Sequence, residues 1–447
     1  MKTTTKILTS QIFDPKLLTL VPRQLISVSR DTGLILSVHT YSEDDAARLL
    51  SEPDTIDLRH LTVCPGFVDA HVHFFLHSYA ETSWADQLSK ESLAERTVRA
   101  VVHARKTLMA GYTTVRDLGT EGAEDADIGL RKCLSGPNPL IPGPRYFTAN
   151  RAIVSTGSYG PKSTVHPNRE GVEGVVGAEA ADGPAECVHL RRYEVSLRHR
   201  HFLSLQLSFI DYPVRSRLTD VSPRIAGTSI RTFSPAELKT LIDTAHQSSV
   251  PIAAHAKTVP VIHDLLALGI DTLEHASDLS KSPSLIATLA SATCRTVYVP
   301  TLAAYYSISQ RSGDWSSWES VKASFQAVLA AGLGNVAIAC GGDTGVFNHG
   351  ENALEMELMH RLGAPWPWVL RWGTLGGWEC LGQPDMDGDR AGDNAGPFGW
   401  IKEGWAADIV GIDGDLTKDF ATSLRRVEFV MKRGRVYKSG GVEAPFY

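Results

Sequence analysis

No two cysteines of this 447-residue chain have CxxC spacing. The six of them (Cys64, Cys133, Cys187, Cys294, Cys340 and Cys380) are scattered. That argues against a disulfide framework or a thiolate zinc site, and makes a reducing cytoplasm the expected compartment. No run of about 18 apolar residues occurs, so no membrane span is expected. The first residues, Met1 to Pro22, lack an apolar core followed by a small-residue cleavage site and read as mature protein rather than a signal peptide. An excess of positive charge is also missing. Lys and Arg number 44 against 50 Asp and Glu, a net charge of −6, which speaks against nucleic acid or an anionic membrane as partner. No internal repeat is found. Disorder is excluded by composition, since 43% of residues are apolar and 21% charged. The length suits one large α/β domain with a smaller companion.

The two ends are β-rich and the middle is not. Leu25 to Ser29 and Leu34 to Val38 have strand-like apolar content around a turn at Asp31 to Gly33. Asp408 to Ile412 and Val427 to Tyr437 have the same character near the other end. Between them strands alternate with helices. Thr62 to Asp69 is a mostly apolar run, and Ser92 to Ala110 is helix-like and stops at Gly111. Tyr112 to Asp117 is rich in β-branched residues. Pro235 to Gln247 reads as a helix with Ser234 as N-cap and proline at its first position. Strands are expected at Val250 to His255, Asp271 to His275 and Val336 to Asp343, with a short helix from Val259 to Leu268 ending at Gly269. This alternation implies a parallel sheet, and enough units fit for a (β/α)8 TIM-like barrel with its chemistry at the C-terminal strand ends. The expected fold is therefore α/β: a barrel over residues 62–385, plus a small β-sandwich domain built from residues 1–61 and 386–447.

Residues i and i+2 of a strand face the same side. His71 and His73 can thus offer two imidazoles to one divalent cation such as zinc. Spacing alone is weak evidence in a chain with 16 histidines, and His199 and His201 repeat it among arginines with no apolar strand leading in. Context separates the two pairs. His71 ends the run from Pro65 to Ala70, His255 ends Ile252 to Ala254, His275 ends Thr272 to Glu274, and Asp343 follows Ala337 to Gly342. Four strand ends thereby carry five ligand-type side chains to one face. Asp117 also ends a strand, where a structural role at the rim is expected.

These stretches carry a resemblance. PGFVDAHVHF (65–74), AGYTTVRDLGT (110–120), IAAHAKT (252–258), DTLEHAS (271–277), ACGGDTGVFNHGEN (339–352) and the tail from Trp405 to Lys438 resemble the amidohydrolase superfamily. They are most similar to its Xaa-Pro dipeptidase and imidazolonepropionase-like branch, which includes the ochratoxinase-type amidases. The resemblance implies a hydrolase that attacks an amide carbonyl with a metal-activated water. It implies a first metal on His71, His73 and Asp343, a second on His255 and His275, and Asp343 as the base that passes a proton to the leaving amine. It further implies zinc at one or two ions per chain, a small-molecule amide substrate and homo-oligomer assembly. His349, and Tyr159 in the loop Ser155 to Gly160, stand where relatives contact substrate.

One element of the pattern is missing. Relatives with two metals bridge them with a carboxylated lysine on the fourth strand. Here Leu207 stands at that place, and no lysine occurs between Lys162 and Lys239. The preceding stretch is dense in Arg and His, so residues 188–210 read as a shifted frame or a mis-spliced exon. The gap leaves two alternatives beside an amide hydrolase: a catalytically impaired homologue, or a one-metal hydrolase of cyclic amides. Thr258 stands where mononuclear deaminases of this superfamily carry glutamate, which argues against a deaminase.

Overall fold

The structure is a computed structural model, and it describes residues 4–136, 138–156, 177–196, 205–207, 231–381 and 396–446. In chain order its strands are β1 (Thr4–Asp14), β2 (Thr19–Ser29), β3 (Ile35–Thr40), β4 (Thr55–Asp57), β5 (Thr62–Pro65), β6 (Phe67–Val72), β7 (Tyr112–Asp117), β8 (Arg145–Thr148) and β9 (Ala152–Val154). There follow β10 (Ala178–Ala180), β11 (Leu205–Leu207), β12 (Ile252–Ala256), β13 (Thr272–His275), β14 (Val297–Val299), β15 (Ile409–Ile412), β16 (Val427–Lys432), β17 (Arg435–Ser439) and β18 (Val442–Glu443).

Strands from both ends of the chain meet in one nine-stranded sheet. Its order is β18-β17-β16-β15-β5-β1-β2-β3, with β4 beside β1. The seam between the ends is the antiparallel pair β5–β15, with Ile409 opposite Pro65. Ile7, Ile26, Val28, Val63, Ile409 and Phe429 form its apolar core, each burial contributing on the order of 1.5–3 kcal/mol. The run Val427 to Tyr437 is a hairpin rather than one strand, because Arg433 and Gly434 both have positive φ and turn the chain back.

A second departure from the sequence expectation lies at Gly66. The apolar run Thr62 to Asp69 is split there: β5 belongs to the terminal sheet and β6 to the interior. A Cβ at Gly66 would fall 2.1 Å from Thr113 Oγ1, so only glycine lets the chain cross this closely between the two layers.

The interior strands are parallel and form three sheets, β6-β7-β8, β11-β12-β13-β14 and the pair β9-β10. The segment 336–344 is not the regular strand its composition predicts. It makes two isolated parallel bridges, Ile338 to Tyr298 of β14 and Thr344 to Val72 of β6. The amides of Tyr298, Ala70 and His73 donate to the carbonyls of Ala337, Cys340 and Thr344, each at 2.8 Å. This segment therefore leads from the last parallel strand back to the first.

Helices fall where local chemistry places them. Leu93–Met109 is capped by Ser92, whose hydroxyl accepts from Glu95 N. Pro235–Gln247 has the full capping box of Ser234 and Glu237. Val259–Leu268 ends at Gly269 with φ +76°. Their apolar faces (Leu238, Leu241, Ile242, Val261, Ile262, Leu265) pack into the cluster that holds Ile252 and Leu273. No helix among the described residues is long and apolar enough to cross a membrane.

Candidate metal centre

The C-terminal ends of β6, β12 and β13 and the segment 336–344 converge. His71 lies in β6 and His73 just past it, His255 in β12, His275 at the end of β13. Asp343 is hooked to β6 through its amide, which donates to His71 O at 2.8 Å. Two groups of ligand-type atoms result, each within 4.8 Å of one another: His71, His255 and His275, and His71, His73 and Asp343. His71, His73 and His255 are buried. Several residues here hold left-handed backbone conformations: His275 (φ +67°), Ala276 (+44°), Thr301 (+53°) and Asp343 (+58°). Strain of this kind costs on the order of 1–3 kcal/mol per residue and persists where the surroundings impose it. Gly341 shows how close the packing is, since a Cβ there would sit 2.9 Å from His71 Cβ and 2.5 Å from Val299 Cγ1.

Three imidazoles are anchored the same way. His71 Nδ1 bonds Glu274 Oε2 (2.9 Å), His73 Nδ1 bonds Gly119 O (2.9 Å), and His275 Nδ1 bonds Thr301 Oγ1 (2.7 Å). The Thr301 hydroxyl itself donates to Pro300 O, so it accepts from His275. Each Nδ1 therefore donates outward and leaves Nε2 facing the centre, where His275 Nε2 meets His255 Nδ1 at 3.0 Å. His71 Nε2 is buried with no hydrogen-bond partner and lies 3.6 Å from Asp343 Oδ1. His73 Nε2 lies 3.3 Å from the same oxygen.

The electrostatics match a cation site. Burial pushes the His255 and His275 imidazoles down, and neighbouring histidines add to it; His275 falls to about 4. Both stay neutral at physiological pH, the form that binds metals. Burial also disfavours charge on His73, yet the bond and charge of Asp343 raise it to about 10. Asp343 is held below the ordinary carboxylate range although burial opposes this, because His71, His73 and His275 surround it. His73 Nε2 and Asp343 Oδ1, 3.3 Å apart around a shared proton, would hold a divalent cation in that proton's place. The orphaned His71 Nε2, the neutral rings of His255 and His275 and one ionised carboxylate fit a borderline cation such as zinc.

Other sequence candidates are placed differently. His349 is buried, bonds Leu76 O at 2.9 Å through Nε2, and stacks on His103 with ring centroids 4.1 Å apart. Through Nε2 the ring braces the His73 to Leu76 turn from behind, while its Nδ1 is buried without a hydrogen-bond partner. Tyr159 and the pair His199 and His201 lie outside the described residues. Asp117 has the structural role expected of it, accepting from Phe74 N, Gly119 N and Tyr146 Oη. The backbone of Leu207 lies in β11 beside Ala254, one residue before His255.

Sequence reasoning missed Glu274, Arg116 and Asp69. Asp69 accepts from His71 N, Gly342 N, Thr344 Oγ1 and Asn352 Nδ2, and so ties β6 to the segment that carries Asp343. All three lie inside the motif stretches, but nothing local to them tells a core charge from a solvated one.

Residues 62–437 match the model of the Amidohydrolase family. The chain belongs to the amidohydrolase family. The match begins at the first residue of β5 and ends in β17, so it takes in the parallel strands together with much of the terminal sheet. Ochratoxinase of Aspergillus niger is 25% identical over 406 residues, covering 85% of this chain and 76% of that protein. Among solved structures, a Xaa-Pro dipeptidase with methionine bound in its active site superposes with a TM-score of 0.78 at 23% identity, over 98% of this chain and all of that one. The structure of A. niger ochratoxinase gives 0.75 at 19%, over 98% of this chain and 96% of its own. These structures share the fold of this amidohydrolase, and the family makes the chain a hydrolase.

Proposed function

We propose that this protein hydrolyses amide C–N bonds of small molecules, N-acyl amino acids or dipeptide-like compounds, at a zinc centre built from His71, His73, His255, His275 and Asp343. The observation that carries this is the convergence of four imidazoles and one ionised carboxylate at the strand ends of a chain matched by the family over residues 62–437. Eight parallel segments (β6, β7, β8, β11 to β14 and 336–344) are read as the (β/α)8 barrel expected over residues 62–385, entered at Phe67 because β5 pairs into the terminal sheet, and this reading puts the site at the barrel's C-terminal face. The parts 1–61 and 386–447, joined by β5, are read as the small domain built from both termini; its strands form one continuous sheet rather than the two of the expected sandwich. The six free thiols support a reducing, cytoplasmic setting.

A bound divalent cation supplies water activation and carbonyl polarisation. Asp343 does the proton work: its Oδ1, facing His71 Nε2 and His73 Nε2, takes a proton from the attacking water and returns it to the leaving nitrogen. His71, His73 and His275, anchored through Nδ1, hold their Nε2 atoms toward the cation. Burial of the cluster keeps bulk water from competing with the reacting groups. One ion per chain is favoured over two. The two ligand groups share His71, whose single Nε2 can bond one cation, and no lysine between residues 162 and 239 can bridge a pair.

Metal analysis of the purified protein, with turnover of an N-acyl amino acid panel, tests this reading. About one zinc per chain and amidase turnover are expected. Asp343→Asn is expected to lower kcat by about 10²–10⁴. A variant as active as the parent overturns the assignment of the base.

A further inference from the structure

His71 is the one residue common to both ligand groups, so which of its nitrogens carries the proton matters to either. The groups behind it decide that. Glu274 is wholly buried on β13, next to His275. Its Oε2 faces His71 Nδ1 at 2.9 Å, while its Oε1 accepts from Arg116 Nη2 at 2.7 Å and from Thr272 Oγ1 at 2.6 Å. Arg116 rises from β7, is itself buried, and donates through Nε to Ala70 O on β6 at 2.6 Å and through Nη1 to Thr272 Oγ1 at 3.1 Å. One guanidinium thus spans three parallel strands and ties the strand bearing His71 and His73 to the strand bearing His275. Every acceptor position of Glu274 that faces a neighbour is filled by a donor.

We infer that Arg116 and Glu274 are positioning residues that lock His71 in its Nδ1–H tautomer and so hold Nε2 open as a cation ligand. The inference rests on the reading of His71 as a ligand. The physical reason is directional. Arg116 has only donors, so it demands an oxygen at the near side of residue 274. The far oxygen can then only accept, and His71 must present N–H to it. An uncharged ring has one N–H, which leaves Nε2 as the lone-pair atom. Gly119 and Thr301 do the same for His73 and His275, but of the three only His71 has its Nδ1 hydrogen-bonded to a carboxylate that is itself paired with an arginine.

This makes a counterintuitive expectation about glutamine. In Glu274→Gln the amide oxygen stays with Arg116 and the amide NH₂ turns to His71. Two donors cannot face each other, so the imidazole shifts its proton to Nε2 and closes the ligand atom. Removing Arg116 as well frees the amide to turn round. Arg116→Met combined with Glu274→Gln should therefore restore the Nδ1–H tautomer that the single variant loses. A pair that served packing alone would be made worse by the second change.

The test reads the tautomer of His71 directly, by ¹⁵N–¹H correlation of the histidine side chains in full-length apo-protein, and zinc affinity by calorimetry on the same samples. The expected results are Nδ1–H in the parent, Nε2–H with zinc affinity reduced about 10–100-fold in Glu274→Gln, and recovery of both in the double variant. Parent His71 in the Nε2–H form overturns the inference whether or not the variants fold. So does Glu274→Gln with parental tautomer and affinity, or a double variant weaker than the single one. A parent that shows the Nδ1–H lock but binds no zinc overturns the metal reading and leaves the lock itself standing.

Discussion

His103 and His349 stack face to face in the core, one bonded to Phe74 O and the other to Leu76 O. Burial drives His103 down from 6.5 to about 4 and pushes His349 well below 6.5 too. Neither ring tolerates a charge beside the other. As pH falls through 6.5, His103 in the unfolded chain takes up a proton while in the folded chain it does not until about 4. The stability this neutral histidine provides is therefore present above about 6.5 and lost progressively between 6.5 and 4, roughly 3 kcal/mol in all. His103→Asn keeps a donor for Phe74 O and removes that titration. Denaturant unfolding across pH 4 to 7 should show a shallower decline for His103→Asn than for the parent. An unchanged slope would contradict the buried, neutral assignment.

At the level of elements, the most consequential feature is that the last parallel segment is not a regular strand. Residues 336–344 form two isolated bridges with β14 and β6, and Gly341 lets the backbone run close to His71. Asp69 of β6 adds to the backbone bonds there: it accepts from Gly342 N and Thr344 Oγ1 of this segment and from Asn352 Nδ2 beyond it, as well as from His71 N on its own strand. Asp69→Ala leaves those donors unsatisfied in the interior and is expected to cost about 3 kcal/mol of stability, read as a lowered denaturation midpoint. A loss below about 0.5 kcal/mol would mean the segment holds itself in place. Elements defined by local chemistry were legible beforehand, among them the Ser234 cap, the Gly269 stop and the β7 and β13 strands. The break at Gly66 was not, because the apolar pattern on both sides is the same. Its cause, the separate partners of β5 and β6, lies in strands far away in the chain.

Across the whole molecule, the terminal sheet and the interior are joined by a buried ion pair. Arg145 of β8 donates to Asp408 Oδ2 at 2.5 Å, and Asp408, just before β15, also accepts from Arg433 N at 2.8 Å through Oδ1. Both side chains are fully enclosed. Arg145→Met leaves a buried carboxylate without its cation, and a loss of about 3–5 kcal/mol is expected. Scanning calorimetry should show one transition moved to lower temperature. Two separated transitions would show instead that this pair is what couples the parts.

The five residues that converge at the candidate metal centre could be read from the chain because strand alternation and strand-end position are local properties, and each sits in a short recognisable stretch. The same holds for the missing lysine, which is a matter of composition. Only the folded arrangement decided that His71 belongs to two groups at once, that His349 is a brace, and that Arg116 and Glu274 stand behind the centre. Those facts depend on which strand lies beside which. A side chain's role as ligand, anchor or filler is set by neighbours that approach from strands more than a hundred residues away, and no local pattern carries that information.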